Sequence, residues 1–506
     1  MAQIQAVGLT FCYEGSFDNI FEDVSFSIDT DWKLGLIGRN GKGKTTFLQL
    51  LLGKYAYAGS VLASVPFDYF PYLVSQRQMG LCAWEFLEEL KPGCPEWKVL
   101  CELEKLNAPA ELLYRPFETL SHGERTKTLL AVLFSGENDF LLIDEPTNHL
   151  DGESRENVKE YLKGKKGFIL ASHDRDLLDA CVDHILALNR KSIEVQSGNF
   201  SSWQENKTRR DHFAQMENEK HLREIAALRR AVDQSGRWAQ KNENKKIGYD
   251  PIKEHDRGSG TRPYIGAKTK KMQKRVKNYE KRMERKIAAR EGLLEDIETT
   301  VGLKLYPLAY HKDRLLSCKD LSLGYGGGAV LSDFTFELKR RERVFLHGKN
   351  GCGKSTLLKA LLAAGGFLQG EGPRVMAGEL QMGAALKISY IGQDAGFLKG
   401  GVREFCQRRG LDEGLYCALL RQLGLERAQF AKDMAEFSEG QKKKALVAAS
   451  LMTPAHLYIW DEPLNFIDVF SRMQIEELLL KYAPTMILVD HDARFRQRVA
   501  TRVAEL

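Results

Sequence analysis

The sequence predicts an α/β chain: two tandem P-loop nucleotide-binding domains joined by a long antiparallel α-helical hairpin. Three observations carry this. The phosphate-loop pattern GxxxxGK followed by Ser or Thr occurs twice, at residues 38–46 and 348–356, 310 residues apart. Behind each loop come an apolar strand ending in Asp-Glu and then an apolar strand ending at a histidine, in the same order. Between the copies the hydrophobic period changes from that of strands to that of helices. A repeat of this length is a duplicated domain. Alternating strands and helices make each copy a largely parallel sheet. The expected boundaries are 1–203 for the first ATPase domain, 204–310 for the charged linker and 311–506 for the second ATPase domain.

Composition narrows the class. The 506 residues suffice for two to four domains with large cores. The nine cysteines are scattered, with no CxxC pair and no Cys/His spacing of a metal site, which suits free thiols in a reducing compartment. The N-terminus lacks the pattern of a signal peptide, and no apolar run reaches 18 residues. A membrane domain within the chain is therefore not expected.

In the first copy, residues 33–37 form an apolar strand running into Gly38, Asn40, Gly41, Gly43, Lys44, Thr45 and Thr46, and a helix follows. The glycines let backbone N–H groups converge on phosphate, and the helix N-terminus adds its partial positive charge. Lys44 is expected on the β and γ phosphates and Thr45 on Mg2+. Residues 140–143 are apolar and end in Asp144 and Glu145, where two carboxylates cannot be core. Asp144 suits the Mg2+ sphere and Glu145 the polarisation of an attacking water. A third strand, 167–171, ends at His173, placed to sense a γ-phosphate.

The second copy repeats these parts as Gly348, Asn350, Gly351, Gly353, Lys354, Ser355 and Thr356, then Asp461 and Glu462, then His491. Ser355 and Asp461 take the metal roles of Thr45 and Asp144. Tyr13 and Tyr325 each lie shortly before their loop. Either ring stacks on an adenine or packs as an ordinary strand tyrosine.

The linker, 204–298, carries two apolar stripes at helical spacing. One holds Phe213, Met216, Leu222, Ile225, Leu228 and Val232; the other holds Met272, Val276, Tyr279, Met283, Ile287, Leu294 and Ile297. Each stripe is narrow, so two antiparallel helices are expected to share a seam. Gly248, Pro251, Gly258, Gly260, Pro263 and Gly266 suggest a turned tip. Between Glu205 and Arg290 there are 25 Lys or Arg against 12 Asp or Glu, an excess of 13, while the whole chain is only +6. The remainder is net acidic, so the positive charge is concentrated in the linker. A basic prong bearing Trp238, Tyr249 and Tyr264 fits a phosphate-rich structured partner. A solvated spacer is the other reading of the same charge.

Ser121-His122-Gly123-Glu124 and Ser438-Glu439-Gly440-Gln441 resemble the signature sequence of ABC ATPases, each 23 residues before its Asp144 or Asp461. Two such domains joined by a charged helical hairpin resemble the ABC-F subfamily of translation factors, and Glu145-Pro146-Thr147-Asn148-His149-Leu150-Asp151 is similar to that subfamily's motif. Residues 32–41, Arg115-Pro116-Phe117 and Tyr458-Ile459-Trp460-Asp461-Glu462-Pro463-Leu464-Asn465 look like the Lsa-type antibiotic-resistance members, as do Gly258-Ser259-Gly260 and Ile265-Gly266-Ala267 of the linker.

The resemblance implies two ABC-type ATPase domains closing head to tail on two ATPs with Mg2+. Site one would join the first phosphate loop, Asp144, Glu145 and His173 to Ser438, Gly440 and Gln441. Site two would join the second loop, Gln393, Asp461, Glu462 and His491 to Ser121, Gly123 and Glu124, with Gln393 also near the metal. It further implies a cytoplasmic, ribosome-associated protein that enters the E site of the bacterial 70S ribosome. Its linker would act on 23S rRNA and P-site tRNA near the peptidyl-transferase centre and displace lincosamides, group A streptogramins and pleuromutilins, with hydrolysis driving release. A housekeeping translation factor on stalled or initiating ribosomes has the same catalytic residues.

Three positions depart from the family pattern. Tyr72 stands where the metal-sensing glutamine is expected, and His122 and Glu439 stand where the signatures usually have glycine. Two unequal ATP sites are expected from these changes.

Overall fold

The computed structural model describes the chain apart from residues 1–2, 15–18, 137–138, 149, 189–191, 245–273, 275–276, 280, 284, 286–303, 327, 350 and 368–371. Two compact units emerge: Met1–Trp203 with Thr300–Leu506, and Gln204–Thr299.

The first unit holds both nucleotide-binding copies. The first copy is built on a six-stranded sheet in the order Phe67–Phe70, Phe140–Asp144, Phe168–Ala171, Lys33–Ile37, His184–Leu188, Ile193–Ser197. Its first five strands run parallel, and the last pairs antiparallel. The second copy has the parallel order Ile388–Ile391, Leu457–Asp461, Met486–Val489, Arg343–His347, Arg502–Glu505. Phe140–Asp144 and Leu457–Asp461 are apolar up to the final carboxylate because both sheet faces are covered, as a parallel sheet requires. A three-stranded antiparallel sheet accompanies each copy: Phe21–Asp29, Gln3–Phe11, Ala58–Ala63 and Gly328–Lys339, Arg314–Tyr325, Arg374–Met382.

In each parallel sheet the phosphate-loop strand neighbours the histidine strand, which in turn neighbours the acidic strand. The three chemical segments therefore leave the C-terminal edge of the sheet side by side, where such sheets bind ligands. Register fixes this further, since Asp144 pairs with Ala171 and Asp461 with Val489.

The second unit contains most of the helix Phe200–Asn244, 45 residues long. Ile225 of the first stripe and Met283 of the second are buried, at 5% and 8% exposure. Met272, Val276, Ile287, Leu294 and Ile297 of the second stripe lie outside the described residues, and among the described ones the predicted seam is only partly buried. Phe213, Met216 and Leu222 are 65%, 60% and 53% exposed, and Tyr279 is 40% exposed. Helical periodicity locates a face without saying how much of it finds a partner. The predicted tip, with Tyr249 and 257–267, lies outside the described residues. No described helix is long and apolar enough to cross a membrane.

Candidate functional site

Both phosphate loops take the backbone their glycines permit. Gly41 and Gly43 have φ of 82° and 83°, and Gly351 and Gly353 have 84° and 100°. Gly43 and Gly353 cap the helices Lys44–Leu51 and Lys354–Ala364, so each loop delivers its lysine onto the first helical turn. Lys44 Nζ donates to Gly38 O at 2.9 Å, and Lys354 Nζ to Gly348 O at 2.7 Å. Each ammonium is thus folded back over its own loop. Asn350 lies outside the described residues.

The metal candidates meet as predicted residue types. Thr45 Oγ1 donates to Asp144 Oδ2 at 2.9 Å, and Ser355 Oγ to Asp461 Oδ2 at 3.5 Å. Burial raises Asp144, and burial followed by the charge of Glu462 pushes Asp461 up to about 6. Asp461 Oδ1 is buried without a hydrogen-bond partner. A hydroxyl and a carboxylate oxygen fit a hard cation, but one such pair leaves most of its sphere to phosphate oxygens and water. Among the described residues no cluster of three or more His, Cys, Asp or Glu side chains could hold a metal alone.

The two candidate catalytic carboxylates share a frame. Glu145 and Glu462 have φ of 51° and 48°. Their amides donate to Ala171 O and Val489 O, both at 2.8 Å. His173 Nε2 lies 3.4 Å from Glu145, and His491 Nε2 lies 3.5 Å from Glu462. The surroundings differ. Glu462 receives Gln393 Nε2 at 2.7 Å and Asn465 Nδ2 at 2.6 Å. Burial pulls Glu462 up, but the bonds and charge of His491 and the Gln393 amide bring it net below the usual value. Glu145 Oε1 is buried without a hydrogen bond, and Oε2 accepts from His173 N at 3.3 Å. Burial pushes Glu145 up to about 7 against the pull of Lys44. Burial, then the charges of Lys44 and Arg472, hold His173 neutral.

Tyr72 explains part of this asymmetry. Its hydroxyl donates to Asp68 Oδ2 at 2.6 Å, and Asp68 is held by Lys91 at 2.7 Å. The side chain is therefore committed away from the carboxylates. A residue not singled out from sequence, Tyr69, donates its hydroxyl to Asp144 Oδ2 at 3.2 Å. Burial, and then the charge of nearby Asp461, raises its counterpart Tyr390. The recurrence of Tyr three residues before Tyr72 and before Gln393 was the available signal.

The signature serines begin helices. Ser121 Oγ accepts from Glu124 N at 3.2 Å while Glu124 accepts from Ser121 N at 2.8 Å, and Ser438 and Gln441 form the same reciprocal cap. Glu439 pairs with Lys442 at 3.1 Å, so its charge is answered within its own helix. His122 is exposed. Gly440 is required by close approach: a Cβ there would lie 2.4 Å from Phe466 O and 2.7 Å from Asn40 Nδ2.

That last contact crosses from one copy to the other. Asn40 Nδ2 donates to Phe466 O at 2.6 Å, and Lys42 pairs with Glu426 at 3.4 Å. Reciprocally, Lys349 pairs with Glu153 at 3.2 Å. Each phosphate loop thus faces the other copy. Two further residues escaped the sequence reading. Arg155 joins Lys354, Ser355, Gln393, Glu462 and His491 around a cavity of ≈ 480 Å³. Arg472 is near enough to Glu145 and His173 to shift both. Each follows a helix-capping aspartate in the repeated string Asp-x-x-Ser-Arg, at 151–155 and 468–472.

Tyr13 donates to or accepts from Thr46 Oγ1 at 2.7 Å and meets Phe11 and Tyr55 edge-on, so it is anchored at the first phosphate loop. Tyr325 ends its strand, 45% exposed.

A family model described as ABC transporter matches residues 21–148 and 331–465. Among curated proteins, "Ribosome protection protein VmlR" of Bacillus subtilis (strain 168) is 28% identical over 491 residues, covering 96% of this chain and 84% of that protein. "Energy-dependent translational throttle protein EttA" of Mycobacterium tuberculosis (strain ATCC 25618 / H37Rv) is 26% identical, covering 96% and 88%. Among solved structures, an archaeal ribosome recycling factor, aABCE1, in complex with the stalk protein aP1, matches with a TM-score of 0.61 at 18% identity, covering 98% of this chain and 87% of that one. That likeness concerns the fold.

Proposed function

We propose a ribosomal role from one established premise: the chain belongs to the ABC-F family of ABC ATPases. It binds and hydrolyses ATP. Each ATP would sit on one phosphate loop with the other copy's signature helix across it. Lys44 and Lys354 would leave their loop carbonyls for the phosphates. Thr45 with Asp144, and Ser355 with Asp461, would hold Mg2+, which supplies charge neutralisation on the transferring phosphate. Glu145 and Glu462 would take the water proton, with His173 and His491 orienting the γ-phosphate.

The partner proposed is the bacterial 70S ribosome, entered at the E site, with the linker toward 23S rRNA and P-site tRNA. The cell location that follows is cytoplasmic. The carrying observation is similarity along the whole chain, 94–97% of it, to proteins whose names include a translational throttle and a ribosome protection protein. Concentration of positive charge in the linker supports a nucleic-acid partner. A general translation factor is the reading these relatives favour as a group.

The test is co-sedimentation with 70S ribosomes using the Glu145→Gln/Glu462→Gln protein. ATP-dependent binding that weakens with added salt is expected. Failure to sediment with ATP at low salt would sink the proposal.

A second, narrower reading is antibiotic displacement from the peptidyl-transferase region. The 28% identity to the ribosome protection protein and the sequence similarities to Lsa-type members favour it. Susceptibility to clindamycin, a group A streptogramin and a pleuromutilin, with and without expression, decides between them. Raised resistance requiring both catalytic glutamates supports displacement; unchanged susceptibility leaves the general factor.

A further inference from the structure

The first turn of the long helix Phe200–Asn244 is buried within the ATPase unit, with Phe200 at 0% and Trp203 at 5% exposure. Asp179 holds that turn: Ser201 N donates to its Oδ1 at 2.6 Å and Ser201 Oγ to its Oδ2 at 2.5 Å. Asp179 lies on the helix Arg175–Cys181, which begins two residues after His173.

The second ATPase domain completes the grip. Arg494 Nη1 donates to Asp179 Oδ2 at 2.7 Å, and its Nη2 donates to Ser201 Oγ at 3.2 Å. Arg494 lies three residues after His491, on the helix Ala493–Val499. On another side, Phe470 meets the Trp203 ring at 5.9 Å and 64°. Phe470 is two residues beyond Asp468, whose carboxylate faces Asn40 N of the first phosphate loop at 3.5 Å. The root of the linker helix is therefore touched by segments arriving from both ATP sites.

A nearby cross-domain pair sets the contrast. Arg175 and Glu476 are hydrogen-bonded through both guanidinium ends, with side chains 1% and 0% exposed, and Arg498 adds a bond to Glu476 at 3.0 Å. Separating that pair would strand buried charge, so it suits a fixed pivot. Arg494 and Asp179 are 30% and 21% exposed. Water can take over each partner as they part, so this pair opens at far lower cost.

We propose that Arg494, Asp179 and Ser201, with Trp203 on Phe470, form the joint that passes the nucleotide state of the two ATP sites to the root of the linker helix. The inference rests on the reading of those sites as ATP sites. These are positioning residues, and none of them belongs to the nucleotide-binding set.

The test is hydrogen–deuterium exchange of the peptide spanning 199–206 in full-length Glu145→Gln/Glu462→Gln protein, with and without ATP and Mg2+. ATP is expected to slow exchange at the root. Adding Arg494→Ala should leave binding of a fluorescent ATP analogue intact but abolish the slowing, and Arg494→Lys should restore part of it. Equal exchange with and without ATP in the parent, or equal slowing in Arg494→Ala, would overturn the joint. Should Arg494→Ala lose its circular-dichroism signature, Asp179→Asn and Ser201→Ala carry the same expectations. Ribosome co-sedimentation of the same preparations separates the two ideas. Root slowing without ribosome binding upholds the joint and removes the ribosomal reading. ATP-dependent ribosome binding with an unresponsive root does the reverse.

Discussion

Gln393 donates its side-chain amide to Oε1 of Glu462 at 2.7 Å. The first site has no such bond: Tyr72 is tied to Asp68, and Glu145 Oε1 makes no hydrogen bond, with His173 Nε2 3.4 Å away. The two carboxylates are therefore held differently, and if they activate the attacking water as proposed, the two sites should differ in rate. Glu145→Gln, which leaves site two working, should hydrolyse ATP faster than Glu462→Gln, which leaves site one. Gln393→Ala added to Glu145→Gln should slow turnover by about tenfold, the value of one orienting hydrogen bond of ~1.4 kcal/mol. Single-turnover phosphate release measures both, and equal rates would remove the asymmetry.

The tyrosines near site one should separate by what their hydroxyls touch. Tyr72→Phe loses only the bond to Asp68. It should leave site-one hydrolysis unchanged and lower stability by about 1 kcal/mol. Tyr69→Phe frees Asp144 Oδ2 from one of its two donors. The Mg2+ concentration for half-maximal ATPase in the Glu462→Gln background should then fall by about fivefold, as ~1 kcal/mol of competition is removed. A Mg2+ titration of both variants checks this.

The pH response of the sites should also differ. Burial pushes Glu145 up to about 7, so its neutral form prevails below that pH and cannot accept a proton from water. Glu462→Gln protein should lose activity as pH falls through 7. Glu145→Gln protein should hold its rate there, since Glu462 lies net below its usual value. Stability runs the opposite way. A carboxyl raised on folding contributes stability fully present below its unfolded pKa, about 4.3, which is lost as pH rises through its folded value. Glu145→Gln should therefore melt higher than the parent at pH 8, and an unchanged melting temperature would count against a raised Glu145.

Lys444 and Asp468, each fully buried, meet at 2.5 Å beside the first phosphate loop. Lys444→Met would leave Asp468 charged in the interior. The expected cost is about 3–5 kcal/mol in a denaturant titration, with the Lys444→Met/Asp468→Asn double variant recovering part of it. The carboxylate is held well below its usual range, burial being outweighed chiefly by the Lys444 charge. Its contribution is thus present above the unfolded carboxylate pKa and disappears only in strong acid.

Much of this was legible before the structure. The glycine spacing, the Asp-Glu strand ends and the histidines recur in the same order in both copies, and the fold brings them side by side at one edge of each parallel sheet. The capping boxes at Ser121 and Ser438 follow the Ser-x-x-Glu and Ser-x-x-Gln pattern. What the sequence hides is side-chain aim. Nothing in the string tells that Tyr72 turns to Asp68 while Tyr69 reaches Asp144, or that Glu439 finds Lys442. Cross-domain pairs such as Arg175 with Glu476, 301 positions apart, have no local period to reveal them. The first linker stripe, Phe213 to Val232, predicted helix and lies within Phe200–Asn244, but Phe213, Met216 and Leu222 are exposed.

Glu145 and Glu462 share one more property with a consequence for how the copies diverged. Both occupy left-handed backbone, a conformation that costs a residue other than glycine about 1–3 kcal/mol. Each is pinned by the same bond from the neighbouring strand end. The direction of the carboxylate is thus inherited from the main chain, and change between the copies is confined to the company it keeps. The backbone frame is the same in both copies, and what differs is the set of side chains around each carboxylate, Gln393 and Asn465 at Glu462 and neither counterpart bond at Glu145 among the described residues.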